Sequence, residues 1–249
     1  MDPHKEFEEE VSRNIEGLGR DTDLQAMSRV WVREIAPHKY AYNFRWLGRP
    51  VIQFPQDLVA MQEIFWRVQP DLIIETGIAH GGSLIFSASM LELIAACGGP
   101  PDARVLGVDI DIRAHNREAI EAHPMARRID MIQGSSIAPD VVAQVRAAAA
   151  NRQRVLVILD SNHTHDHVLA ELQAYAPLVS VGSYCIVFDT LLEDMPAASF
   201  TDRPWGPGNS PKTAVREFLR TQAGFEVDRS IEHKLLITVA PEGYLLRTA

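Results

Sequence analysis

The chain has 249 residues, 46% hydrophobic and 23% charged, a balance that excludes disordered, collagen-like and coiled-coil classes. Its 24 Lys and Arg against 33 Asp and Glu leave a net charge of -9, which argues against a nucleic-acid surface because phosphate binding needs clustered cations. Two cysteines are no disulfide framework: Cys97 in an apolar helical run and Cys185 in an apolar strand-like run read as buried thiols, and the cytoplasm is the expected compartment. The start MDPHKEFEEE is charged where a signal peptide needs an apolar run, and no apolar stretch reaches the roughly 18 residues of a membrane span. Neither nucleic acid nor a membrane is therefore expected as a partner.

Residues 1–50 are polar and then aromatic. Tyr40, Tyr42, Phe44 and Trp46 alternate with the period of a strand and run into the turn Leu47-Gly48-Arg49-Pro50, so that 1–56 read as an N-terminal cap or lid. From Asp57 the segment DLVAMQEIFWRVQ places Leu58, Met61, Ile64, Phe65 and Val68 at helical spacing, with Asp57 as its cap and Pro70 after its end. Residues 57–249 then form the main domain. A strand is predicted at 71–75, followed by a Gly-rich turn and a helix over 82–96. Further strands follow at 104–109, 128–133, 154–160 and 183–189, each separated by a helical stretch. This alternation predicts an α/β fold, a doubly wound and mostly parallel sheet covered on both faces. Right-handed crossovers bring the strand C-termini to one rim, where such sheets bind ligands, and Glu75, Asp109, Gln133, Asp160 and Asp189 all end strands. A Pro/Gly-rich loop at 196–211 precedes a helix near Lys212. FEVDR and LLITVA, separated by a short turn, predict a C-terminal antiparallel hairpin at a sheet edge.

The strongest local signal is Glu75-Thr-Gly77-Ile-Ala-His80-Gly81-Gly82-Ser83, between a strand and a helix N-terminus. Small residues there admit a ligand to the backbone, but the spacing G-x-x-x-G-G is not the dinucleotide fingerprint, which demotes a nicotinamide dehydrogenase. An acidic strand end followed by a short Gly-rich turn fits the S-adenosylmethionine loop of a Rossmann-like class I methyltransferase. Asp109 stands where a nucleoside site places its ribose-binding carboxylate, with Asp111 as the competing choice, and Gln133-Gly134-Ser135-Ser136 offers polar groups to an adenine edge.

The fourth strand end, Asp160-Ser161-Asn162-His163-Thr164-His165-Asp166-His167, supports two chemistries. The H-x-H-x-H spacing would suit a zinc-dependent hydrolase, although one residue is missing before Asp166 for the usual cluster. Alternatively Asp160 and Asp189 pair on a hard cation such as magnesium, His163 acts as general base, and His165 and His167 begin an exposed helix face.

The strings IIETGIAHGGSLIFSASMLELI, VLGVDIDIRAHNREAIEAHP, LDSNHTHDHVLAELQAYAPLVSVGSYCIVFDT and DRPWGPGNSPKTAVREFL resemble, in order and spacing, the cephalosporin hydroxylase family. The resemblance spans roughly residues 40 to 247 and implies S-adenosylmethionine-dependent O-methyltransfer, as by rhamnosyl and macrolide-sugar methyltransferases. It implies that Glu75, Gly77, Gly81 and Ser83 serve the methionine side of the cofactor, Asp109 the ribose and Ser135 the adenine. Asp160 and His163 match a D-x-x-H segment that supplies a magnesium ligand, next to the cofactor, and the base. The family's Glu-Asp pair at the next strand end is Phe188-Asp189 here, leaving Asp160 and Asp189 as the carboxylates and water, substrate or an amide such as Asn162 for the vacated place. A sugar-type acceptor and a homo-oligomer are further expectations, with the aromatic segment from Tyr40 to Trp46 and the loop bearing Trp205 as walls for the sugar. A protein that binds the cofactor without catalysis is the remaining alternative.

Overall fold

The computed structural model describes residues 2–249. It opens with two helices, α1 (Pro3–Arg20) and α2 (Thr22–Ile35), each started by an aspartate, Asp2 and Asp21, whose side chain accepts from first-turn N–H groups. This stretch reads as merely polar in composition. Its helical signal lies in the spacing of Phe7, Val11, Ile15 and Leu18.

The aromatic alternation is a strand only in its last part. Lys39 turns into the left-handed region at φ 48°, a 3-10 turn covers Tyr40–Asn43, and β1 (Phe44–Trp46) pairs antiparallel with β2 (Arg49–Val51). Leu47 and Gly48, both at positive φ, form the tight turn between them.

Helix α3 (Pro55–Val68) buries Leu58, Met61, Ile64 and Phe65, as the spacing predicts. Asp57 does not cap it. Phe54 holds the N-cap position, and the buried Asp57 carboxylate accepts from Val239 N–H at 2.9 Å, from Tyr244 Oη at 2.6 Å and from Thr238 Oγ1. Three tertiary donors outweigh a single cap bond, and they bind α3 to the C-terminal segment.

The alternating part runs β3 (Leu72–Thr76), α4 (Gly82–Ala96), β4 (Arg104–Asp109), α5 (Ala114–Glu121), β5 (Ile129–Gln133), α6 (Pro139–Ala149), β6 (Val155–Leu159), α7 (His165–Tyr175), β7 (Tyr184–Val187) and α8 (Pro211–Thr221). β8 (Phe225–Val227), α9 (Arg229–Leu235) and β9 (Tyr244–Arg247) complete it. The seven-stranded sheet has the order β5-β4-β3-β6-β7-β9-β8, parallel except at β9, which pairs antiparallel with both neighbours. Alternate residues of each strand feed two cores. Ile73, Leu156, Ile158, Tyr184 and Ile186 pack toward α3 and α4, while Ile74, Val157, Leu159, Cys185 and Val187 pack toward α6, α7 and α8. Strand order reverses between β3 and β6, so their C-terminal ends form the switch point where open α/β sheets bind ligands.

The antiparallel pair exists at the C-terminus, but LLITVA is not one of its strands. Asp228 caps α9 over most of the expected turn, and Thr238 and Val239 turn their donors to Asp57 instead of a ladder. The strand is Tyr244–Arg247, and it inserts between β7 and β8. Cys97 is also not buried: it lies exposed just past α4, whereas Cys185 is buried in β7. Among the described residues no helix is long and apolar enough to cross a membrane.

Candidate active site

The end of β3 is clamped on both sides. Gly77 N–H donates to Val108 O at 2.8 Å, and Asp160 N–H donates to Thr76 O at 2.9 Å, which joins the first Gly-rich turn to the strand ends of β4 and β6. Gly77 sits at φ 91°, and a Cβ on it would lie 2.0 Å from the Asp160 carbonyl oxygen, so only glycine lets the two backbones approach this closely. Gly81, at φ 79°, is the N-cap of α4, and a Cβ there would meet the end of Ile120 at 2.4 Å.

A cleft runs along this rim in two parts that meet at Gly77 and Ser161. The smaller, of about 150 Å³, is walled by Asp109, Ile110, Ser135, Ser136, Asn162 and His167; the larger, of about 260 Å³, reaches Gln53, His80, Ser83, Asp160, His163 and Asp189. The cleft thus separates a part holding Asp109 and Ser135 from a part holding Asp160, His163 and Asp189. Asp109 accepts from Ile78 N–H at 2.7 Å and from Asp111 N–H at 3.0 Å, which orients its carboxylate at the mouth of the smaller part. Asp111, the competing choice, is exposed and faces Arg113 at 3.7 Å.

Glu75 lies behind the loop and not on the cleft wall. It is 1% exposed, accepts from Ser83 Oγ, and has a second oxygen with no partner. Burial pushes its carboxyl up to about 8, the Ser83 hydroxyl offsets part of this, and Asp160 adds to it. A buried carboxyl short of one partner, beside a glycine cradle, suits a cofactor that brings positive charge.

The larger part gathers three chemical groups from two strand ends. His163 Nε2 stands 3.2 Å from Asp189 Oδ2 and 3.7 Å from Asp160 Oδ1. One ligand atom from each of Asp160, His163 and Asp189 falls within 4.8 Å of the others, a donor set of hard oxygens and an imidazole that fits a divalent cation. Asp189 holds its carboxylate there from a left-handed backbone at φ 56°. Burial works against charge on His163, yet Asp189 and Asp160 hold its imidazole well above the ordinary histidine value; burial raises Asp160 in turn.

The other two histidines of the cluster go elsewhere and are not an exposed face. His165 Nδ1 bonds Thr213 Oγ1 at 2.8 Å and its Nε2 faces Glu217 at 3.3 Å, docking α7 on α8. His167 Nε2 meets Ser136 Oγ at 3.0 Å and Ser161 Oγ at 3.3 Å. His163 precedes α7, and the helix sends His165 and His167, two apart, to different partners, so the three histidines do not converge and the zinc-hydrolase alternative loses its ligands. Asn162 does not fill the place left by Phe188 either, because its Oδ1 accepts from Thr164 N–H at 2.9 Å and Thr164 Oγ1 at 2.8 Å.

Phe188 continues the inward alternation of Tyr184 and Ile186 and is 2% exposed in the core. From the hairpin side comes a group that the sequence reading omits: Gln53, 2% exposed, whose Nε2 donates to Asp160 Oδ2 at 3.0 Å. Its only sequence signal is one polar residue among Val51, Ile52 and Phe54. Of the aromatic segment, Tyr40 and Phe44 pack edge-on together and Trp46 packs on Phe86, leaving Tyr42 alone on the cleft wall. Trp205 meets the His163 ring edge-on at 5.0 Å. Its loop is tethered by Glu193, which accepts from Gly208 N–H at 2.9 Å and Ser210 Oγ at 2.7 Å.

The family model Rhamnosyl O-methyltransferase/CmcI matches residues 38–248. The rhamnosyl O-methyltransferase of Mycobacterium leprae (strain TN) is 32% identical over 220 residues, covering 84% of this chain and 88% of that protein. Its namesake in Mycobacterium tuberculosis (strain ATCC 25618 / H37Rv) is 31% identical over 221 residues, covering 84% and 83%. Among solved structures, CmcI with Mg and SAM superposes with a TM-score of 0.58 at 18% identity, over 84% of this chain and 78% of that one. The TDP-rhamnose 3'-O-methyltransferase CalS11 gives 0.52 at 21% identity, over 77% and 78%. An O-methyltransferase from Bacillus cereus in complex with SAH gives 0.53 at 15% identity, over 83% and 82%. These three share the Rossmann-like methyltransferase fold seen here.

Proposed function

The chain belongs to the rhamnosyl O-methyltransferase/CmcI family and is an S-adenosylmethionine-dependent O-methyltransferase; we propose that its acceptor is a hydroxyl of a sugar or of a glycosylated small molecule, with magnesium assistance. The observation that carries this reading is the Asp160, His163 and Asp189 cluster opening beside the Gly77 turn.

The cofactor supplies a methyl group already activated on a sulfonium. In this reading Asp109 and Ser135 hold its nucleoside in the smaller part of the cleft, while Glu75, through Ser83 and the Gly77 and Gly81 turn, serves the methionine end. Asp160 and Asp189 would hold magnesium, which when bound orients two adjacent sugar oxygens and acidifies one of them. His163 removes the acceptor's proton at Nε2, and it can do so only as neutral imidazole, which requires positive charge elsewhere to satisfy Asp160 and Asp189. Residues 1–56 act as the cap, contributing Tyr42 and Gln53 to the wall. Trp205, whose ring meets His163 edge-on, serves as the aromatic wall for the sugar in this reading. A homo-oligomer, from the family resemblance, and a cytoplasmic location, with which two unpaired cysteines are consistent, are part of the same reading.

The test is product analysis. Purified protein, methyl-labelled cofactor and a panel of nucleotide deoxysugars, rhamnosyl glycosides and catechols are incubated with magnesium, and labelled products are identified by mass spectrometry. Methylation confined to the sugars supports the reading; methylation of catechols alone refutes it.

A further inference from the structure

The amide of Gln53 is placed in an unsatisfied state. Its side chain is 2% exposed, its Nε2 donates to Asp160 Oδ2 at 3.0 Å, and its Oε1 is buried with no donor in reach. Buried polar atoms are normally paired, and an orphan beside a cluster of cation ligands asks for an explanation from the site itself. The two ends of an amide exchange by a half-turn about the last side-chain bond. That turn would put Oε1 where Nε2 now stands, 3.0 Å from Asp160 Oδ2, and would exchange the Nε2 bond to Asp160 for a bond to the ion, with the NH2 group moving to the buried place Oε1 holds now. Two oxygens so placed repel unless a cation lies between them, and adjacent oxygen ligands at 2.0–2.1 Å from an octahedral magnesium stand about 3 Å apart.

Gln53 also approaches from a suitable direction. Its neighbours Val51 and Phe54 share the core layer that holds Phe188. The site lacks a carboxylate at 188, and the hairpin brings a neutral oxygen from the same layer.

We propose that Gln53 is the third oxygen ligand of a divalent-cation site with Asp160 and Asp189, its amide turning Oε1 toward the ion. The inference rests on the magnesium-assisted reading above. It makes the site a two-carboxylate, one-amide site, weaker in charge than a three-carboxylate one and open to completion by acceptor oxygens.

The experiment measures binding of Mn2+ alone to the full chain by electron paramagnetic resonance, with no cofactor, acceptor or turnover. The variants are Gln53→Leu, Gln53→Glu, Asp160→Asn and Ile52→Glu, with circular dichroism to confirm folding. Expected are loss of binding in Asp160→Asn, a weakening of about tenfold or more in Gln53→Leu, and a tightening of about tenfold in Gln53→Glu. Ile52→Glu adds a charge to the same wall from the neighbouring position and should tighten binding far less. Gln53→Glu, nearly isosteric, keeps the question open if Gln53→Leu does not fold. Parental affinity in both Gln53 variants, or equal tightening by Ile52→Glu, overturns the assignment while leaving the metal reading intact. No Mn2+ binding by the parent overturns both, and cofactor binding measured separately shows whether the methyltransferase site survives.

Discussion

Gly77→Ala is the most informative single substitution in this fold. The new Cβ would lie 2.0 Å from the Asp160 carbonyl oxygen, 2.6 Å from its carbon and 3.1 Å from Ser161 Cα, all of them backbone atoms that no rotamer change can clear. Relief to even 3.0 Å moves the ends of β3 and β6 apart by at least 1 Å at the switch point, since the contact starts at 2.0 Å. The bond from Asp160 N–H to Thr76 O, which joins the two separated strand ends, then lengthens from 2.9 Å and weakens. A residue with a Cβ held at φ 91° costs about 1–2 kcal/mol, and each hydrogen bond contributes about 1 kcal/mol. The sum is about 2–3 kcal/mol, a large share of the roughly 5–15 kcal/mol that holds a domain together.

Gly81→Ala is the control. It too has positive φ, but its Cβ would meet the buried Ile120 side chain and no backbone atom, so about 1–2 kcal/mol is expected from the backbone, with repacking of Ile120 in addition and the β3–β6 contact intact. Urea unfolding gives the stabilities, and calorimetric titration with S-adenosylmethionine gives the affinities. Gly77→Ala should lose both stability and cofactor binding, because the displaced strand ends carry Asp160. A Gly77→Ala protein within 1 kcal/mol of the parent (~1 kcal/mol being the measurement's discrimination) and with unchanged affinity would refute the close-approach argument.

Three further outcomes are expected. Glu75, raised to about 8 in the free protein, is mostly protonated at neutral pH, and a cationic ligand favours its ionised form. Cofactor binding should therefore release a proton and tighten as pH rises toward 8, and Glu75→Gln should abolish the effect; equal binding enthalpies in buffers of different ionisation heat would disprove it. Asp57, raised from 3.8 to about 6 by burial, holds its proton in the folded state where the unfolded chain has lost it. Folded protein then binds more protons between those values, so stability relative to Asp57→Asn should grow as pH falls from 6 toward 4 in urea titrations; a flat or shrinking gap contradicts the sign. Trp205→Ala should raise the acceptor KM about three- to tenfold and leave cofactor affinity unchanged, and a cofactor defect would reassign the residue.

The parts of the site that are legible in the sequence share one cause. Strand and helix alternation carries Glu75, Asp109, Asp160 and Asp189 to one rim whatever the details of packing, because parallel strands joined by right-handed crossovers have no other arrangement. The Asp160 to His163 spacing is local and equally readable. What escapes is contact between the cap and the rim: Gln53 reaches Asp160 across 107 residues, and no periodicity says where a two-stranded hairpin will dock. The same holds for Asp57, whose position at a helix start suggests a cap until Tyr244 and Val239 come into view. Phe188 shows how one position changes meaning between the two levels. In the sequence it is a missing carboxylate, whereas in the fold it stands just past β7 and continues the inward alternation that Tyr184 and Ile186 had set. A charge there would be directed into the core layer shared by Val51 and Phe54, and it is Gln53, from the segment joining those two, that brings a polar group to Asp160 from the cap side.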